Sequence, residues 1–198
     1  MDMAVVLMGL FMIVYYLVII VFGVAMYVLS GLGLMKMAKT CGLAHPWMGF
    51  VPYANTYLLG KLAEQNPTPG KKSWPWRHIA LIGQIVVTAL TLAMTFWMLG
   101  DVLATVMSGA EFTEYDALSL VGGTLAFAAP ISLLSTAYSV AVYIIYWKVF
   151  SLFAPRNTAV IFLVLTILAG LAPIFLFILR NKQPQNRPAP TDPDSQTW

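Results

Sequence analysis

Residues 158–180 read TAVIFLVLTILAGLAPIFLFILR, and the threading of this stretch decides the fold. About 20 apolar residues are needed to cross the hydrocarbon core as a helix, a length that 158–179 reaches. Gly170 and Pro173 interrupt it near the middle. A complete crossing would also leave Arg180, Lys182 and Arg187 on the outer side, whereas Lys and Arg beside span ends favour the cytoplasm. Two threadings stay open. One is a fourth crossing, taken as the working assignment. The other is a re-entrant pair of half-helices that returns the tail to the cytoplasm, which requires protein or water to cover the irregular backbone at its tip.

The rest of the chain supplies the context. Of 198 residues, 60% are hydrophobic and only 10% charged, against roughly 25% charged and about 45–50% apolar in average soluble domains. The mean hydropathy is +0.79. There is too little polar surface here to coat a soluble globule. The apolar residues gather in four runs, 4–33, 79–100, 119–147 and 158–179. The expected fold is all-α: a polytopic transmembrane helix bundle of about four spans plus an interfacial or re-entrant segment, forming one transmembrane domain over 1–180. The first run has no basic stretch before it and is read as a retained span. The tail, 181–198, is Pro-rich and polar and is expected to be disordered. The single cysteine, Cys41, excludes an internal disulfide.

Charge sets the orientation. Lys36, Lys39, Lys61, Lys71, Lys72 and Arg77 all fall between the first two runs, so 36–77 is expected in the cytoplasm. The connection 101–118 holds Asp101, Glu111, Glu114 and Asp116 without a Lys or Arg, and belongs outside with the N-terminus. Within the cytoplasmic connection, 42–63 is too polar and too broken by Pro and Gly to span, yet too greasy for an ordinary loop. Phe50, Tyr53 and Tyr57 are spaced three and four apart, which would set one aromatic stripe on a helix face. Trp and Tyr favour the headgroup level, and Lys near that surface gains about 1 kcal/mol each from anionic lipid. Trp47, Phe50, Tyr53, Asn55, Tyr57, Lys61, Lys71, Lys72, Trp74, Trp76 and Arg77 therefore form a candidate lipid or partner platform on the cytoplasmic leaflet.

The segment GLAHPWMGFVPYANTYLLGKLAE, in which Trp47 is followed by Val51-Pro52, Asn55, Tyr57 and Leu59-Gly60-Lys61, resembles a segment of small multi-pass bacterial inner-membrane proteins of uncharacterised function. Those proteins also tend to end in a hydrophobic span with a motif like APIFLFILRNK, here 172–182. The resemblance implies a bacterial inner-membrane location and brings no catalytic residue.

No Asp, Glu, Lys, Arg or His falls deep in a span, and such groups are the usual machinery of ion-coupled transport. Nothing has the spacing of a nucleophile elbow, a zinc-protease helix or a phosphate loop, so an enzyme is not expected. Met35, Met37, Cys41 and His45 cluster as soft ligands would, but Pro46 tends to stop a helix before it could align Cys41 with His45. No metal or other cofactor is expected. Nucleic acid is disfavoured, because the +3 charge is spread over short membrane-flanking loops. The deepest polar groups are Gln84 and a stripe of Ser132, Thr136 and Ser139 beside Pro130, a pattern that permits close helix packing. Two readings follow. The first is a non-catalytic accessory or scaffold protein, in a homo-oligomer or larger membrane complex, that binds lipid headgroups or a membrane partner through the platform. The alternative is a small lipid or solute permease whose path runs between spans three and four along Pro130, Ser132, Thr136, Gly170 and Pro173.

Overall fold

The computed structural model describes residues 3–66, 74–108 and 113–185, with the backbone alone at 4–6, 116 and 117. Its described residues form α-helices joined by turns, with no strand among them. They are α1 (Met3–Thr40), a 3-10 turn at Pro46–Phe50, α2 (Ala54–Glu64), α3 (Trp76–Ser108), α4 (Glu114–Phe153), α5 (Arg156–Ala169) and α6 (Ala172–Leu179). Helices α1, α3 and α4 are each long and apolar enough to cross a membrane. At 1.5 Å per residue they run to about 57, 50 and 60 Å, well beyond the roughly 30 Å hydrocarbon core.

The extra length of these helices is used at one end. The last turns of α1, the first turns of α3 and the last turns of α4 converge there on α2, α5 and α6. Leu34 and Met37 of α1, Leu58 and Leu62 of α2, Ile145, Val149 and Phe150 of α4, and Leu176 of α6 are buried in one cluster. Two glycines let helices meet backbone to backbone. A Cβ on Gly33 would lie 2.7 Å from the Leu176 carbonyl carbon, and one on Gly60 would lie 2.6 Å from Arg77 Cα. We refer to this packed end as the base. Above it, α3 and α4 stay paired, with Tyr138 against Gly83 and Trp97 against Gly123. Helix α1 stands apart: no Cα of it comes within 8 Å of α3 or α4 among the described residues, and from Leu7 to Ala25 it is exposed on every face.

The last hydrophobic run is two helices folded back on each other, not one continuous helix. Phe162 and Phe175 stack at 4.4 Å between ring centroids, although 13 residues of continuous helix would separate them by about 20 Å. Gly170 makes the reversal. It takes a left-handed conformation (φ 65°) at the end of α5, and its N–H bonds to Thr166 O at 3.0 Å, a cap that any residue with a Cβ adopts only under strain. Pro173 follows in the first turn of α6, where its missing N–H costs no helical bond. At the far end of α6 the chain is back beside α4, with Gln185 N–H donating to Leu152 O at 2.8 Å. At about 21 Å, α5 is too short to cross alone. The expected tail boundary also shifts: residues 181–185 are tied to the base, while 186–198 lie outside the described residues.

The segment between α1 and α3 differs from a single amphipathic strip. Helix α1 stops at Gly42 (φ 68°), with Leu43 N–H bonding back to Ala38 O and Gly42 N–H to Lys39 O, the pair of bonds that closes a helix end. Pro52 then prevents a helix from running through 50–57, because the residue before a proline is pushed to extended backbone. Val51 is extended (φ −97°, ψ 125°). Phe50 therefore belongs to the 3-10 turn, Tyr53 sits at φ 65° before α2, and only Tyr57 lies in α2. The aromatic stripe on one helix face does not form.

Candidate functional site

The base positions the platform residues at different depths. Trp47, Tyr53 and Trp74 are 57%, 41% and 64% exposed and make an outer rim. Phe50 is partly covered against Gly31 of α1, and its carbonyl accepts the Tyr27 hydroxyl at 2.6 Å. Trp76 stacks on Trp74 and lies under the Lys148 ammonium, 6.0 Å from the ring centroid. Tyr57 meets His78 edge to face. Lys61 is partly buried in the last turn of α2. Arg77 opens α3, where its backbone N–H donates to Glu64 Oε1 at 3.1 Å and its Nε lies 3.7 Å from Glu64 Oε2. A carboxylate at a helix N-terminus satisfies an otherwise orphaned N–H and complements the helix dipole, so Glu64 fastens the end of α2 to the start of α3. Lys71 and Lys72 lie outside the described residues.

Two further bonds close the floor of the base. Asn66 donates through Nδ2 to Lys148 O at 3.1 Å and to Ser151 Oγ at 2.9 Å, while Lys148 Nζ donates to Asn66 O at 2.9 Å. The end of α2 is thereby held against both α3 and α4.

A cavity of about 140 Å³ with a mixed polar and apolar lining opens where this floor meets the gap between α1 and the α3–α4 pair. Ser30 of α1, Asn55 and Thr56 of α2, Gln84 of α3, and Tyr138 and Tyr146 of α4 line it. Leu34, Leu59 and Val142 complete the wall. Some of its hydrogen bonding is internal: Thr56 Oγ1 donates to Asn55 Oδ1 at 3.0 Å, and the Tyr138 hydroxyl to Gln84 Oε1 at 2.9 Å. Each amide oxygen thus accepts one bond from within the protein. Among the described residues no protein partner is found for Asn55 Nδ2, Gln84 Nε2, or the Ser30 and Tyr146 hydroxyls. None of these four atoms is fully buried, so each stays open to water or to a polar ligand in the cavity. The lining carries no charged side chain.

Sequence reasoning singled out Asn55 and Gln84 for different roles, and the fold brings them to one cavity. It gave no site role to Ser30, Tyr138 or Tyr146. Ser30 of α1 lies more than 100 residues from Tyr138 and Tyr146 of α4, and no local motif joins them. Pro130, Ser132, Thr136, Ser139 and Gly170 are exposed, and Pro173 is partly covered. None of these six lines the cavity. The hydroxyls of Ser132, Thr136 and Ser139 bond to carbonyls of their own helix, those of Ala129, Ser132 and Ser135. No group of three or more His, Cys, Asp or Glu gathers as metal ligands among the described residues.

No family model matches the chain, and neither a curated protein nor a solved structure does.

Proposed function

We propose that this is a non-catalytic integral membrane protein that crosses the bilayer three times and docks phospholipid headgroups, or a membrane partner, on the rim of its base. One observation carries the reading: every Lys and Arg among the described residues sits at the base, together with the exposed Trp47, Tyr53 and Trp74. Asp101 and Glu114 lie toward the opposite end of the α3–α4 pair. Because α5 and α6 fold back, Arg180 and Lys182 join the other cations instead of opposing them. The positive-inside rule is then obeyed throughout, with the base in the cytoplasm and the N-terminus of α1 outside. An amphipathic aromatic rim beside basic side chains matches the headgroup level of an anionic leaflet. The resemblance of 42–64 to bacterial inner-membrane proteins supports that membrane as the location.

The rim is tested by replacing Lys36, Lys39 and Lys61 together with Gln and counting phospholipids retained on the detergent-purified protein by native mass spectrometry. Retained anionic lipid is expected to fall severalfold. Unchanged anionic lipid, with cross-linked partners also unchanged, would remove the rim from the function.

A further inference from the structure

We propose that the cavity between α1 and the α3–α4 pair is a binding site for the zwitterionic headgroup of one membrane phospholipid, whose acyl chains rest in the gap between those helices. The inference rests on the base lying at headgroup level, as argued above, and names the ligand of a site distinct from the rim.

Size comes first. Ligand pockets that enclose a whole small molecule run to about 300–1,000 Å³, and 140 Å³ is well short of that. The cavity can hold only the polar end of something whose remainder stays outside. The gap above it has the matching character: α1 stays clear of α3 and α4, and from Leu7 to Ala25 its apolar side chains are exposed on every face. Ser30 lies about 40 Å along α1 from Met3, so the cavity sits at one edge of an apolar zone that is a bilayer deep.

The hydrogen-bonding inventory points to the chemistry. Asn55 Oδ1 and Gln84 Oε1 each already accept one bond from a neighbouring side chain, and the amide NH2 groups of these two lining residues and the Ser30 and Tyr146 hydroxyls can act as donors. That set recognises an acceptor-rich group such as a phosphodiester. A bare anion is nevertheless a poor fit, since no cation lines the cavity and an uncompensated charge is costly to remove from water. A headgroup that brings its own ammonium solves this internally. An ammonium is favoured against tyrosine rings, and Tyr138 and Tyr146 are among the lining residues.

The test uses the full chain in nanodiscs containing equal amounts of phosphatidylethanolamine and phosphatidylglycerol, followed by detergent extraction and native mass spectrometry. The wild type is expected to keep one phosphatidylethanolamine per chain. Gln84→Leu and Asn55→Ala are each expected to reduce that species at least tenfold. Gln84→Glu, which keeps the size but turns the amide donor into an anion, is the second variant should Gln84→Leu fail to fold. Preferential retention of phosphatidylglycerol, or a cavity that keeps water only and no lipid, would overturn the proposal. So would equal protection of wild type and Gln84→Leu against thermal unfolding by the same lipid. Soluble phosphoethanolamine distinguishes the sources: saturable binding that displaces no lipid would mean a free phosphoester is the ligand and would overturn the lipid assignment. The rim variant is read in the same spectra. Loss of the cavity lipid with rim lipid intact concerns this site alone, whereas an unaltered rim spectrum with the cavity lipid present concerns the broader reading.

Discussion

Leu58 and Leu17 have the same side chain and opposite surroundings. Leu58 is fully buried in the base, while Leu17, midway along α1, is 58% exposed. The same division runs through the whole molecule. The base buries its leucines and phenylalanines against each other and ties α2 to α3 and α4 through Glu64, Asn66 and Lys148. The outer lengths of α1, α3 and α4 present apolar side chains on faces that touch nothing in the chain. In water an apolar surface of that extent marks an association or aggregation site. In lipid it needs no cover, because acyl chains are as apolar as leucine. The base is held by packing and hydrogen bonds, and on the proposed membrane reading lipid does that work for the long helices.

The largest effect expected from this division is all or none. In a Cys41→Ser background, a cysteine at Lys182 should react with an impermeant thiol reagent only from the cytoplasmic side of oriented vesicles. A cysteine at Thr113, at the opposite end, should react only from outside. Labelling of both positions from the same side would mean that α5 and α6 do not return the chain to the base, and the three-crossing reading would fall.

Graded effects come next, and they compare the two regions directly. Phe150 packs on Tyr146, Phe162 and Phe175 at once. Phe150→Ala should cost about 3–5 kcal/mol, the range for deleting a buried aromatic. Phe22→Ala in the bare part of α1 should stay within about 0.5 kcal/mol, as surface changes usually do. Thermal unfolding in detergent, followed by circular dichroism, measures both. Gly33→Leu should destabilise by about 1–3 kcal/mol through overpacking, because the side chain would enter the Leu176 backbone. Gly23→Leu, with nothing within 4 Å of the added Cβ, should not destabilise. Equal losses at Gly23 and Gly33 would mean that the outer part of α1 has a partner that the isolated chain does not show.

Parts of this arrangement were legible in the residues and parts were not, for physical reasons. Hydrophobic length announced the long helices, and Gly170 with Pro173 announced the break in the last run, since each fits a helix end better than a helix interior. Which face of each helix packs was not legible. A span facing lipid is apolar all round, so the periodicity that marks the buried side of a soluble helix is blurred. That is why α1 could not be seen to stand apart. The cavity was hidden for a related reason: Ser30, Gln84 and Tyr146 are single polar residues in three separate runs, each readable alone as a packing group. Phe50, Tyr53 and Tyr57 misled in the other direction, because their spacing suggested a helix that Pro52 forbids.

The smallest expected effect concerns Ser132, Thr136 and Ser139. Small polar residues in series on a membrane helix usually signal close helix contact, yet these three are exposed on α4 and their hydroxyls bond their own backbone. Replacing all three with Ala should leave the monomer's unfolding temperature unchanged within error, because no bond to another helix is lost and each freed carbonyl keeps its helical N–H partner. The decisive companion measurement is the mass of the protein in lipid nanodiscs before and after the substitution. An unchanged mass means the stripe faces lipid, and the sequence pattern was only permissive. A drop from dimer to monomer means that the stripe packs against a second copy, which would extend the packed region from the base up one side of α4 and redraw the boundary between the two halves of the molecule.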